Sequence, residues 1–323
     1  MSSSNPADEV AKPIPADQDG TDGAGGSDDM DDTDGTGGAA LESRYDRMAD
    51  GYARWWGPVI APAAVQVLDV LAPFVDELLA RRSVYGAGSD GPRLLDVGSG
   101  TGTLAIAALE RWPSLRVTGI DPSGGMLAVA RASARERLPA AVADRYDTVV
   151  APADALPFED GAFDLAVSSF VLQLVPSKAA AMREIRRVLV LGGAFSWTAW
   201  LRSDRAYEPD RLANEVLDVH GFDPPEPDAR PGDLASLASA ALGMRRAGFR
   251  DVRTRGGELA HPWTPRGYVE FFTQFDEESL FAELDLAERG EIEHEILERL
   301  ARLTADELTL RLPVVYVEGR AAR

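Results

Sequence analysis

Three glycines alternate with single residues directly after an apolar stretch. Residues 94–103 read Leu-Leu-Asp-Val-Gly-Ser-Gly-Thr-Gly-Thr. Glycines at Gly98, Gly100 and Gly102 would let the backbone turn tightly and let a ligand come close to it. A helix expected from Gly102 onward would point its N-terminus at that ligand. Asp96 stands inside the strand end, where a carboxylate is costly unless it holds something. The pattern therefore predicts a cofactor-binding loop.

The loop alone fits two classes of cofactor. The frame from Gly100 to Ala105 matches G-x-G-x-x-A, the fingerprint of dinucleotide-binding enzymes. A nicotinamide-dependent oxidoreductase is therefore one interpretation. Two features favour another cofactor: the acidic Asp96, and Gly98, which ends the strand two residues before the dinucleotide frame begins. A protein that binds a cofactor without catalysis is a third interpretation.

Alternating short strands and amphipathic helices would position this loop. The alternation over residues 91–200 is typical of a parallel sheet covered by helices on both faces, an α/β doubly wound fold. Residues 201–231, rich in Pro and Asp, are expected to be irregular. The expected strands cover residues 93–97, 115–120, 147–151, 163–170, 194–200, 252–259 and 308–317. The expected helices cover residues 102–112, 124–138, 179–189, 234–247, 265–275 and 291–303.

Composition divides the chain and limits its partners. Residues 1–40 hold ten acidic residues against a single Lys12 and have few large apolar side chains, which predicts a disordered acidic tail. The folded part is expected over residues 41–323. The chain has a formal charge of −20 and no dense Lys/Arg block, so a nucleic-acid substrate is disfavoured. No apolar run is long enough for a membrane span, and the N-terminus does not resemble a secretory signal, so we expect a cytoplasmic protein.

Three further motifs follow the glycine loop in order. Residues 117–123 end a predicted strand at Asp121, residues 153–158 read Ala-Asp-Ala-Leu-Pro-Phe, and residues 187–193 read Arg-Val-Leu-Val-Leu-Gly-Gly. Together with the loop, they resemble the class I S-adenosylmethionine-dependent methyltransferases, in the group related to the quinone-biosynthesis enzymes. The resemblance covers residues 41–200 well and the remainder loosely. It implies a Rossmann-like, mostly parallel, seven-stranded sheet, with a helical cap over 41–90, a cofactor-binding core over 91–200 and substrate-side helices within 201–323.

The same resemblance implies S-adenosylmethionine as the cofactor and gives roles to the matched residues. Asp121 would accept the ribose hydroxyls, and Asp154 the adenine amino group, beside the backbone N–H of Ala155. Met126 and Leu156 would enclose the adenine ring. The cofactor-binding residues expected in full are Asp96, Gly98, Ser99, Gly100, Gly102, Asp121, Pro122, Met126, Asp154, Ala155, Leu156 and Ser169. A helix N-cap for Asp121 and a turn aspartate for Asp154 are the structural alternatives.

The acceptor side is predicted from position rather than motif. Tyr52, on a helix that folds over the cofactor in this family, Gln173, after the fourth strand, and His261, after a later strand, are the candidate catalytic residues. Trp55 and Trp56 join Tyr52 on that helix, with ordinary core packing as their alternative.

Absent features narrow the acceptor. The chain has no cysteine and no Asn/Asp-Pro-Pro-Tyr/Phe motif, which argues against methylation of nucleic-acid bases. The three histidines show no metal spacing. The expected partner is therefore a small organic acceptor, and neither its methylated atom nor the oligomeric state follows from the sequence.

Overall fold

The computed structural model describes residues 45–85, 91–222 and 233–322. Seven strands form one sheet in the order β3-β2-β1-β4-β5-β7-β6, in which β1 to β5 are parallel and β7 runs antiparallel to both of its neighbours. The predicted doubly wound, mostly parallel sheet is confirmed. The strands are β1 (Arg93–Val97), β2 (Arg116–Asp121), β3 (Tyr146–Val150), β4 (Phe163–Ser169), β5 (Leu189–Trp200), β6 (Phe249–Pro262) and β7 (Thr309–Ala321).

Helices cover both faces of the sheet, and each face has its own apolar core. The buried strands carry near-continuous apolar runs, as expected for a sheet covered on both sides. The helices are α1 (Tyr45–Ala64), α2 (Gln66–Tyr85), α3 (Thr103–Arg111), α4 (Gly124–Arg137), α5 (Ala140–Ala143), α6 (Lys178–Val188), α7 (Glu208–Val219), α8 (Leu237–Arg246), α9 (Pro265–Phe271), α10 (Glu278–Glu283) and α11 (Leu286–Leu300).

The predicted N-terminal cap has two different parts. Helix α2 packs on one face of the sheet, where the Ser196 hydroxyl lies 3.4 Å from the carbonyl oxygen of Val67. Helix α1 instead approaches the glycine loop and contains a π-helical turn at Tyr52–Trp56. Only α1 therefore lies over the predicted cofactor site. The predicted disordered tail at residues 1–40 lies outside the described residues.

The expectation of irregular structure over residues 201–231 was wrong for its middle part, because helix α7 occupies Glu208–Val219. The expectation rested on the Pro and Asp content of the segment, but Pro209 lies in the first turn of the helix, where proline is well tolerated. Ala213, Val216 and Leu217 form its buried side. They join α9, α10 and α11 in a third apolar core beyond the carboxyl ends of β5 and β6.

Strand β5 begins at Leu189, five residues before its predicted start. The pairing with β4 shifts register between Phe163 and Leu165, so the strand bulges around Gly192 and Gly193 rather than turning there. Among the described helices, none alone is both long and apolar enough to cross a bilayer, whereas the bent pair Tyr45–Ala64 and Gln66–Arg81 meets those two criteria together.

Candidate active site

The glycine loop joins β1 to α3 at the carboxyl edge of the sheet. Gly98, Gly100 and Gly102 all have positive φ, at 68°, 53° and 85°. A side chain at Gly98 would overlap Val171, which packs against the loop from the segment after β4. A Cβ atom at Gly100 would meet no atom of the described part of the chain within 4 Å. The loop is therefore packed at Gly98 and faces open space at Gly100, a cradle that leaves room for a ligand.

Asp96 lies beneath this loop and is 1% exposed. Its Oδ2 accepts a hydrogen bond from Ser99 Oγ at 2.8 Å. Burial raises the pKa of Asp96 to about 7, against the opposing effect of hydrogen bonds from Ser99 and the Ala105 backbone. A carboxylate with this pKa changes charge near neutral pH, and a cation bound beside it would favour its charged form.

Asp121 ends β2 and ties two loops together. Its Oδ2 accepts the Gly100 N–H at 2.9 Å, and its Oδ1 accepts the Ser123 N–H at 3.0 Å. The N-cap of α4 is Ser123, whose hydroxyl accepts from Met126 N–H, so the helix-cap alternative for Asp121 is wrong. The Asp121 carboxylate is therefore held at the carboxyl end of β2, beside the glycine loop.

The predicted adenine-binding residues lie after β3 and at the start of α4. Asp154 is half-buried, whereas Met126 and Leu156 are buried, at 2% and 5% exposed. The Ala155 N–H lies 3.4 Å from the Pro152 carbonyl, a long hydrogen bond within a turn. Pro122 is exposed beside Asp121.

Helix α6 fixes the backbone of the loop after β3, which contains Asp154 and Leu156. The Glu184 carboxylate accepts the Leu156 N–H at 3.1 Å, and the Arg187 guanidinium donates to the carbonyls of Leu156 and Phe158 at 3.0 and 2.7 Å. Arg187 also pairs with Glu184 at 2.7 Å. These bonds fix the backbone around Leu156. Arg187, in the motif of residues 187–193, therefore supports a loop predicted to bind the cofactor, and no contact of its own with the cofactor is predicted.

Helix α1 is anchored to the start of α4 by Asp46, a contact that sequence reasoning missed. Asp46 Oδ1 accepts Ser123 Oγ–H at 2.5 Å and Gly125 N–H at 2.9 Å. The hydrogen bond from Ser123 and then that from Gly125 lower the pKa of Asp46. Asp46 precedes Tyr52 on the same helix, but only the fold reveals its partners.

Tyr52 lies above the site in the π-helical turn of α1. Its pKa is raised by burial, and then by the nearby Tyr45 and Asp121. Its ring contacts Tyr45 and Phe275, with centroid distances of 6.2 and 6.3 Å. Tyr52 therefore joins the predicted ribose-binding carboxylate to an aromatic wall.

This aromatic wall is formed where two π-helical turns meet. The second turn, Phe272–Asp276, continues α9. Trp56 stacks on Phe271 at 5.9 Å, and Phe271 lies 5.7 Å from Phe275. π-Helical turns often occur at functional sites. Trp56 therefore takes the contact with the facing helix, and Trp55 lies beside Arg54 instead.

The segment after β4 is held in an unusual backbone conformation. Ser169 is half-buried, and Phe170 has a φ of 56° while its ring stacks on Trp200 at 3.9 Å. Positive φ is costly for a bulky residue and is often found at functional sites. Further along, Gln173 Oε1 is buried and has no hydrogen-bond partner among the described residues. An unpaired buried acceptor is unusual and can be satisfied by a ligand.

His261 is not placed beside the other predicted catalytic residues. It lies on β6, which β5 and β7 separate from β4. Its ring contacts Trp263 at 4.4 Å, and burial lowers its pKa. Trp263 in turn lies 5.0 Å from Phe271, so the described ring contacts connect His261 with the aromatic wall through Trp263. Tyr52, by contrast, lies close enough to Asp121 for that carboxylate to help raise its pKa.

In the parts of the chain that the structure describes, no group of three or more His, Asp or Glu side chains is arranged to hold a metal ion. His220 pairs with Glu295 at 3.2 Å, and His294 lies 3.5 Å from Glu298. These pairs belong to the helices beyond the sheet and lie away from the glycine loop in the fold.

Residues 95–197 match the family described as a methyltransferase domain. A malonyl-[acyl-carrier protein] O-methyltransferase of Geobacter sulfurreducens is 38% identical over 169 residues, which cover 52% of this chain and 60% of that protein. A ubiquinone/menaquinone biosynthesis C-methyltransferase of Paracoccus denitrificans is 37% identical over 157 residues, covering 47% and 53%. The chain thus spans little more than half the length of these relatives.

Among solved structures, the YcgJ protein of Bacillus subtilis aligns with 77% of this chain and 99% of its own, at 18% identity and a TM-score of 0.48. The matched segment 95–197 contains the glycine loop, Asp121, the Asp154 loop, β4 and most of β5. The segment that is similar to a methyltransferase domain is therefore the part of the chain that contains most of the residues predicted to bind the cofactor.

Proposed function

We propose that this protein transfers a methyl group from S-adenosylmethionine to a small organic acceptor in the cytoplasm. The observation that carries the proposal is the position of Asp121, which ends β2 beside the glycine loop and accepts the Gly100 and Ser123 N–H groups. The open space at Gly100 fits the passage of an amino-acid tail.

When bound, the sulfonium supplies a methyl group that is already electrophilic. The residues of this chain would then bind, orient and exclude water rather than supply a strong catalyst. Asp96 would attract the ammonium group from beneath the loop, and Asp154 would accept the adenine amino group. The backbone of Gly98 and Gly100 would lie along the methionine portion.

The acceptor would enter beside the aromatic wall of Tyr52, Trp56, Phe271 and Phe275. This wall would exclude water from the methyl group, and the unpaired Gln173 Oε1 would accept a hydrogen bond from the acceptor. Tyr52 would orient the acceptor through its hydroxyl. His261 is a weaker candidate for a base, because the described ring contacts connect it with this wall through Trp263 rather than directly.

The sheet order argues against the nicotinamide alternative. Dinucleotide-binding sheets of the doubly wound type follow the order 3-2-1-4-5-6. Here an antiparallel β7 lies between β5 and β6. Calorimetric titration of the protein with S-adenosylhomocysteine and with NAD tests this point. We expect binding of the first and none of the second, and binding of NAD alone would overturn the proposal.

A transfer assay tests catalysis and the acceptor class. The protein is incubated with methyl-labelled S-adenosylmethionine and a metabolite extract, then passed through a filter that retains macromolecules. We expect the label in the small-molecule filtrate, and none with Asp121→Ala. Label retained with protein or RNA would contradict a small acceptor, and cofactor binding without any transfer would favour a non-catalytic protein.

A further inference from the structure

A chain of three buried polar side chains connects β3 to the underside of the glycine loop. The Tyr146 hydroxyl lies 2.8 Å from Ser99 Oγ, and Ser99 Oγ donates to Asp96 Oδ2 at 2.8 Å. Tyr146 and Ser99 are each 7% exposed and Asp96 is 1% exposed. Ser99 has one hydroxyl proton, and it points to Asp96, so the Tyr146 hydroxyl is the donor to Ser99.

Strand β2 lies between β1 and β3 and makes room for this chain. A Cβ atom at Gly119 of β2 would lie 2.6 Å from Ser99 Oγ and 2.7 Å from the Tyr146 hydroxyl oxygen. Glycine inside a strand weakens the strand and often marks a close approach. Gly119 therefore has a specific use here, which is to let the two hydroxyl groups meet across the strand.

We propose that Tyr146 is a positioning residue for cofactor binding, which acts through Ser99 to keep the Asp96 carboxylate oriented and charged for the ammonium group above it. Tyr146 itself touches no cofactor. The inference rests on the proposed function, because the ammonium group belongs to the amino-acid portion of S-adenosylmethionine.

The charges around Asp96 make this arrangement sensitive to pH. Burial raises the pKa of Asp96 to about 7, the Ser99 and Ala105 hydrogen bonds oppose it, and the negative Asp121 raises it further. On the other side, Tyr146 faces Asp96, Asp121 and the positive Arg131. As pH falls through about 7, Asp96 gains a proton and its attraction for a cation is lost.

Loss of the Tyr146 hydroxyl would leave Ser99 a weaker donor, which raises the pKa of Asp96 further. Affinity for a ligand with an ammonium group would then begin to fall at a higher pH than in the native protein. A ligand without that group would be unaffected. This difference separates a role in charge from a role in folding alone.

The test compares Tyr146→Phe with Tyr316→Phe, whose hydroxyl donates to the Ala63 carbonyl at 3.0 Å and whose residue is 1% exposed. Both variants lose one buried phenol hydrogen bond, but Tyr316 lies away from the loop on β7. Calorimetry from pH 5.5 to 8.5 uses S-adenosylhomocysteine and 5′-methylthioadenosine, which lacks the amino-acid portion.

We expect Tyr146→Phe to weaken S-adenosylhomocysteine binding about fivefold at pH 7, the effect of one neutral hydrogen bond. The midpoint of its pH dependence should rise by about half to one pH unit. Binding of 5′-methylthioadenosine should not change, and Tyr316→Phe should match the native protein with both ligands.

The inference is overturned when Tyr146→Phe and Tyr316→Phe give the same pH curve, or when both ligands weaken equally. When Tyr146→Phe does not fold, Ser99→Ala breaks the same chain and is judged by the same curve. When the native protein binds S-adenosylhomocysteine at no pH, the proposed function fails and the inference fails with it. If the native protein binds S-adenosylhomocysteine and both variants give the native pH curve, the inference is refuted and the proposed function is not.

Discussion

Replacement of Asp121 by Ala is the sharpest test of the cofactor site. The carboxylate accepts two backbone N–H groups, at 2.9 and 3.0 Å, and each of its oxygens can accept more than one hydrogen bond, so we expect it to accept the ribose hydroxyls as well. A hydrogen bond to a charged group contributes about 1.5–3 kcal/mol. Loss of two such bonds to the ribose should therefore weaken binding by at least about 3 kcal/mol, which is more than about 100-fold.

The same substitution leaves the Gly100 and Ser123 N–H groups without their acceptor, so we also expect a loss of stability of about 2 kcal/mol. Asp164→Ala is the matched control, because Asp164 Oδ2 accepts the Arg93 N–H at 2.8 Å at the start of β1, the other end of that strand from the glycine loop. Calorimetry with S-adenosylhomocysteine measures binding, and urea unfolding measures stability. A folded Asp121→Ala protein that binds within about threefold of the native affinity would refute this reasoning.

Three further changes separate binding from stability. Gly100→Ala should destabilise the protein by only about 1 kcal/mol, which is the cost of placing alanine at positive φ. The control Gly192→Ala should cost the same, because Gly192 has a φ of 81° and no described atom lies within 4 Å of a Cβ atom placed there. Of the two variants, only Gly100→Ala should abolish cofactor binding measured by calorimetry. Asp96→Asn should raise the stability of the cofactor-free protein at pH 8 more than at pH 4. The pKa of Asp96 is raised above its value in the unfolded chain, so ionisation of Asp96 between about pH 4 and 7 lowers the free energy of unfolding, on the order of 3 kcal/mol. Urea unfolding that shows the same gain in stability at both pH values would contradict this. Gln173→Met should stabilise the protein by about 1 kcal/mol, because it removes a buried oxygen that has no partner among the described residues, and should reduce methyl transfer without changing cofactor affinity. The control is Gln66→Met, at a half-buried residue whose side chain makes hydrogen bonds at 3.3 and 3.4 Å, and it should neither stabilise the protein nor reduce methyl transfer.

The parallel part of the fold was predictable because its signals are local. Each strand from β1 to β5 is a short apolar run followed by a turn, and each helix between them has an apolar stripe. Boundaries agreed within one or two residues, except at the start of β5. There, pairing with β4 extends the strand through a bulge that no local pattern marks.

The candidate site was predictable where a residue acts through its own type and position. Asp96, Asp121 and the three glycines could be identified because a carboxylate or a glycine at a strand end has few structural uses. Asp46, Tyr146 and Val171 could not be identified in this way. Their partners lie far away in sequence, and a surface aspartate, a strand tyrosine and a loop valine are individually ordinary.

The π-helical turn of α1 makes this helix sensitive to its length. A π turn holds one residue more than an α-helical turn, and each residue rotates the helix by about 100°. Deletion of one residue within Tyr52–Trp56 would give a more regular helix. It would also turn everything before it by about that angle and carry Asp46 away from Ser123 and Gly125. This segment should therefore tolerate substitutions more readily than a change in its number of residues.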